Sequence, residues 1–195
     1  MSLPHFYNFK TFLSSVDLTD NEIELLIEYC EVVHFKKGDL IFKVDEKKDS
    51  IYYINKGIVR YYLDILDGSP VTYNFRIENM LVTSYIVQNA KYGFKSKFNC
   101  ECLDECELVK IPLTVLLYVE ESTNHSHRVA RNIADIHLLE MVDFIIENDT
   151  KTLIEKYYLL ESKFPNIHQR VSQSVIASYL RTSPVHLSRI KSSNR

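Results

Sequence analysis

Residues 171–190 carry the most informative spacing in the chain: Val-Ser-Gln-Ser-Val-Ile-Ala-Ser-Tyr-Leu-Arg-Thr-Ser-Pro-Val-His-Leu-Ser-Arg-Ile. Ser172 can cap a first helix whose inner face is Val175, Ile176, Tyr179 and Leu180. Ala177 is small, as two helices crossing about 8 to 10 Å apart require. Arg181-Thr182 then occupies a turn, Ser183 caps a second helix, and Pro184 takes its first position, where a missing N–H costs nothing. Leu187 and Ile190 face the first helix, which leaves Val185, His186, Ser188, Arg189 and Ser192 outward. This is the layout of a helix-turn-helix, and the outward side chains suit groove edges and phosphates. The expected DNA-contacting set is Ser172, Gln173, Arg181, Ser183, Val185, His186, Ser188, Arg189, Lys191 and Ser192.

Charge agrees with that reading. From Lys163 onward the chain holds six Lys and Arg and no Asp or Glu, leaving 17 basic and 26 acidic residues before it. An acidic body with an acid-free basic tail points to a polyanion as the partner of the tail.

Other constellations carry less. Cys100, Cys102 and Cys106 lack the Cys-x-x-Cys pairing of zinc sites, and small buried residues are the simpler account. His125 and His127 stand two apart on an expected helix and share no face. No metal or cofactor is expected. Tyr53, Tyr61, Tyr73 and Phe75 are candidates to line a pocket. No nucleophile–base motif, Walker loop or Rossmann glycine pattern occurs, so the chain does not read as an enzyme.

The elements that must position these residues fall into three stretches. Residues 4–31 read as helical, with a capping box at Thr19 to Glu22. Residues 32–112 hold short β-branched and aromatic runs, broken by Lys37-Gly38-Asp39, Asn55-Lys56-Gly57 and Asp67-Gly68-Ser69. That pattern predicts an antiparallel sandwich or barrel. Residues 126–147 form one uninterrupted helical run, with Asn148-Asp149-Thr150 as a break and a further helix over 151–164. Its apolar positions Val129, Ile133, Ile136, Leu139, Val142 and Ile146 exceed what one barrel can cover, and predict a homodimer.

Composition excludes several classes. A chain of 195 residues with 46% hydrophobic residues can bury a core. No apolar run approaches the roughly 18 to 20 residues that span a bilayer. Four cysteines do not make a disulfide scaffold, and the start lacks a signal peptide pattern, so the expected compartment is the cytoplasm.

The whole order resembles the Crp/Fnr superfamily of bacterial transcription regulators. The most specific matches are Tyr52-Tyr53-Ile54-Asn55-Lys56-Gly57 and the Ile176-Ala177-Ser178-Tyr179-Leu180 to Ile190 segment. The resemblance implies an α+β chain. An antiparallel, cyclic-nucleotide-binding-like β-roll flanked by helices leads into a dimerisation helix, together residues 1–148 with the helix near 124–148. A small helix-turn-helix domain follows over 149–195. It also implies double-stranded DNA with a near-palindromic operator, RNA polymerase and a small-molecule effector as partners. A dimeric sensor or interaction module that does not bind DNA is the rival reading.

Three departures from the family pattern matter. The Gly and Glu of the phosphate cassette fall on Thr83 and Ser84, and its Arg and Ser on Ser96 and Lys97. Losing the guanidinium removes the strongest contact to a cyclic phosphate. A degenerate effector pocket of Thr83, Ser84, Tyr85, Lys95, Ser96 and Lys97 is therefore expected, without affinity for cyclic AMP. Val185 replaces the usual Glu of the recognition helix, whereas Arg189 matches the family's base-reading Arg. No β-hairpin wing follows Ile190 before Arg195.

Overall fold

The computed structural model describes residues 4–16, 18–83, 95–122 and 128–193. A 3-10 turn (Pro4–Phe6) and helices α1 (Tyr7–Ser15) and α2 (Asp20–Glu28) lead into eight strands among the described residues. These are β1 (Glu31–Phe35), β2 (Leu40–Phe42), β3 (Ser50–Lys56), β4 (Val59–Asp64), β5 (Pro70–Arg76), β6 (Leu81–Val82), β7 (Asn99–Cys102) and β8 (Cys106–Pro112). Helices α3 (Leu113–Ser122), α4 (Arg128–Thr150), α5 (Leu153–Lys163), α6 (Ile167–Arg170), α7 (Gln173–Tyr179) and α8 (Pro184–Ser193) complete the chain.

The strands form two antiparallel sheets, ordered β1-β8-β3-β6 and β2-β7-β4-β5. Alternation of side chains explains why β3 is apolar at nearly every position. Ile51 and Tyr53 face the N-terminal helices and α3, packing with Phe9, Leu13, Leu26 and Leu116. Tyr52 and Ile54 face the other sheet, with Val59, Tyr61, Cys100 and Leu108. Both faces are covered, so both sets must be apolar. Leu26 is fully buried, and Leu26→Ala would cost about 2 to 5 kcal/mol. The β3–β4 turn requires Gly57, whose φ is +115° and whose missing Cβ leaves room for Cys106.

Local signals start α2 and α5, the first as expected and the second unforeseen. Thr19 and Glu22 close a capping box on α2, and Thr152 and Glu155 close a second on α5. The expected break at Asn148-Asp149-Thr150 is instead the last turn of α4. Asn148 Nδ2 donates to Phe144 O and Thr150 Oγ1 donates to Ile146 O, so both polar side chains bond back into the helix.

Helices α5–α8 share one apolar cluster with the barrel. Leu160, Phe164, Ile167, Tyr179 and Leu187 pack with Ile58, Phe75 and Leu103. Among the described residues no helix is long and apolar enough to cross a membrane.

Candidate functional site

Helices α7 and α8 are joined through a four-residue turn at 180–183. Ser172 Oγ accepts from the Val175 N–H at 3.4 Å, and Ser183 Oγ from the His186 N–H at 3.1 Å. Arg181 adopts a left-handed φ of +56°, and the Thr182 N–H returns to Ala177 O at 3.0 Å. Ala177 and Leu187 are buried where the helices meet. Gln173 Nε2 donates to Pro184 O at 3.2 Å and ties the two helix starts together.

Ser172, Gln173, Ser183, Val185, His186, Ser188, Arg189 and Ser192 are all exposed. The other two expected contacts are engaged elsewhere. The Arg181 guanidinium stands 4.4 Å from the Tyr73 ring centroid and 5.8 Å from that of Phe144. Lys191 Nζ lies 4.6 Å from the Tyr157 ring centroid. Both are cation–π contacts, worth about 0.5 to 1 kcal/mol each at exposed sites.

Two polar clasps, one from α7 and one from α6 just before it, hold this part of the chain against the barrel. Among the described strands β5 is an edge strand, and its Thr72 N–H donates to Ser178 Oγ at 2.7 Å while Ser178 donates to Pro70 O at 3.0 Å. Helix α7 thus covers an edge that would otherwise offer unpaired backbone groups. Arg170 forks onto Glu78 with two bonds of 2.9 Å and onto Asp104 at 2.8 and 3.1 Å. Burial works against the Glu78 charge, yet the bonds from Arg170 and from the Gly57 N–H hold its carboxyl below the usual range.

A cavity of about 490 Å³ lies between the barrel and α4, lined by Tyr73, Asn74, Lys97, Phe98, His137, Glu140, Met141, Phe144 and Ile145. Tyr73 reaches it through a β-bulge: β5 pairs Asn74 with Tyr61 and Thr72 with Tyr62, leaving Tyr73 unmatched. Arg76 Nη2 meets Glu140 Oε2 at 2.5 Å and joins β5 to α4. Burial, aided by neighbouring Arg76, pushes the His137 imidazole down to about 4.

The expected effector residues are only partly gathered here. Lys97 lies on the cavity wall, while Lys95 is exposed and forms an isolated bridge with Lys47. Ser96 is buried, with its Oγ donating to Phe98 O at 2.7 Å. Thr83 is buried, and its backbone N–H and carbonyl both bond Tyr61 Oη at 3.0 Å. Ser84 and Tyr85 lie outside the described residues, as do His125 and His127. Of the four suggested aromatics, Tyr73 lines the cavity. Tyr53, Tyr61 and Phe75 are core.

On α4, Ile136, Leu139, Val142 and Ile146 are 46%, 64%, 42% and 51% exposed. The side chains of Val129 and Ile133 are outside the described set. Cys100, Cys102 and Cys106 are buried inside the barrel. Burial raises the Cys100 thiol, and a hydrogen bond with Cys106, then burial, raises that of Cys102. Among the described residues no group of three potential metal ligands occurs.

Sequence reasoning missed Arg170, Ser178, Arg76, Glu140 and His137. Arg76 and His137 each left a faint signal, a polar residue inside an apolar run. The rest have partners 64 to 108 residues away, which no local pattern reveals.

Residues 32–121 match the cyclic nucleotide-binding domain family. Solved structures share the fold, two regulators among them. One is assigned as a transcriptional regulator of the Crp/Fnr family, from Eubacterium rectale, with a TM-score of 0.70 at 15% identity, covering 91% of this chain and 83% of that one. The other is the c-di-GMP responsive global regulator CLP of Xanthomonas campestris, with a TM-score of 0.69 at 15% identity, covering 90% and 91%. Neuropathy target esterase sws of Drosophila willistoni is 19% identical over 161 residues, 80% of this chain and 10% of that protein. The chain thus spans about a tenth of the length of the curated relatives it matches. The barrel has the cyclic-nucleotide-binding fold, within a mixed α+β chain whose structural neighbours include a regulator assigned to the Crp/Fnr family.

Proposed function

We propose that the chain is a dimeric, DNA-binding transcription regulator of the Crp/Fnr type, acting in the cytoplasm without enzymatic activity, whose pocket does not take cyclic AMP. The observation that carries this reading is the α8 surface. Val185, His186, Ser188, Arg189 and Ser192 stand exposed on a capped helix, in a stretch without a single acid that phosphates would repel. In this reading α8 enters the major groove, Arg189 reads a base edge, and the caps and exposed hydroxyls orient the helix.

The dimer reading is supported by the apolar side chains that α4 leaves exposed. The cyclic AMP reading is supported by the pairing of Arg76 with Glu140 and of Ser96 with its own backbone neighbourhood. A sensor that does not bind DNA has one observation in its favour, the stacking of Arg181 and Lys191 on tyrosines.

Titration of duplex DNA against rising salt separates the two. The regulator reading expects affinity that falls linearly in log–log form with salt. Absence of binding at low salt would leave the sensor.

A further inference from the structure

The surface of the cavity between the barrel and α4 is mostly aromatic and apolar. Tyr73 and Phe98 meet edge to face, with centroids 5.1 Å apart at 61°. Opposite them α4 presents Met141, Phe144 and Ile145. We propose that this cavity binds an uncharged, planar, apolar molecule, held between the Tyr73–Phe98 pair and the Met141–Phe144 face of α4. The proposal rests on reading the barrel as a ligand-binding domain, and it is independent of DNA binding.

Charge in the walls decides the class of occupant. The Arg76 guanidinium donates to both oxygens of Glu140, so the two charges neutralise each other. His137 stays neutral at physiological pH, held down by burial and by Arg76. Lys97 is exposed and therefore solvated at the rim. A cyclic phosphate entering here would meet the Glu140 carboxylate and lose its hydration without a dedicated guanidinium to replace it. A flat apolar molecule gives up little hydration and gains offset or edge contacts with three rings. The volume of about 490 Å³ lies in the ordinary range of small-molecule sites.

The site is also wired to α7 and α8. Arg181, in the turn between them, stacks on Tyr73 and Phe144, two residues of the cavity wall. An occupant that turns either ring alters the seat of that turn.

The test uses the full chain without DNA and the neutral fluorophore N-phenyl-1-naphthylamine. Saturable enhancement at one site per chain is expected. Phe98→Ala and Met141→Glu should each weaken it by about tenfold or more. Met141 is 53% exposed, so its variant folds even if Phe98→Ala does not. Leu138→Asp, on the exposed part of α4 but off the cavity wall, should bind as the parent does. Neither cyclic AMP nor cyclic di-GMP should displace the probe. Three results overturn the proposal: no saturable binding, displacement by either nucleotide, or loss in Leu138→Asp with retention in Met141→Glu. The last would put the probe on an exposed helix face or a helix–helix contact. Failure of DNA binding alone would leave every one of these readouts unchanged.

Discussion

Ser178 on α7 and Thr72 on β5 are joined twice, by the Thr72 N–H donating to Ser178 Oγ at 2.7 Å and by their hydroxyls at 3.2 Å. Thr72 is fully buried. Removing the serine hydroxyl therefore strands a donor that water cannot reach. Ser178→Ala should destabilise the chain by about 1 to 3 kcal/mol. Amide exchange along α7 should rise in parallel, and unchanged exchange would mean that the apolar cluster alone seats the helix.

Glu78 gives the chain an acid-sensitive clasp. Its carboxyl is held below the usual value in the folded state by Arg170 and Gly57, despite burial. The stabilisation is complete above the unfolded value of about 4.3 and is lost as pH falls through the lower folded value. Urea midpoints measured from about pH 6 to pH 3 should fall more steeply for the parent than for Glu78→Gln. Parallel curves would remove Glu78 from the account.

Ile136 and Leu139, 46% and 64% exposed on α4, are expected to meet a second copy. Replacing both with Asp should give monomers by light scattering, since each charge would be buried without a partner. A dimer that survives the double change has its interface elsewhere.

A two-fold pair of α8 helices should read half-sites about one helical turn apart, roughly 34 Å. Arg189→Ala should cost about 1 to 3 kcal/mol at one base position and spare scrambled DNA. Lys191→Ala should weaken both DNAs alike, provided the lysine leaves Tyr157 on binding. Equal losses on both DNAs for Arg189→Ala would reduce that residue to a phosphate contact.

The barrel was legible because its strands declare themselves locally. Apolar runs at 32–35, 40–42, 51–54, 58–63, 71–75, 97–102 and 108–111, with the glycine turns between them, located seven of the eight described strands, several to within a residue or two. Strand β6 escaped because Leu81–Val82 is two residues long and is fixed only by pairing with Tyr52 and Tyr53. The end of α4 was misread because Asn and Thr favour turns in isolation, whereas here both bond to carbonyls one turn back. The caps at Ser172 and Ser183 follow from neighbouring residues and were readable. The seating of Arg181 on Tyr73 was not, because it depends on a bulge more than 100 residues earlier in the chain.

The three thiols sealed between the sheets give the protein a clock of its own. Cys100, Cys102 and Cys106 are at most 3% exposed, and Cys30, outside the barrel, is pushed by burial up to about 12. An alkylating reagent needs access and a thiolate; the closed barrel denies access to all three, and Cys100 and Cys102 are also held in the thiol form. Modification of the inner three must await separation of the two sheets. At saturating reagent its rate becomes the opening rate of the barrel, timed by the native chain with no label added.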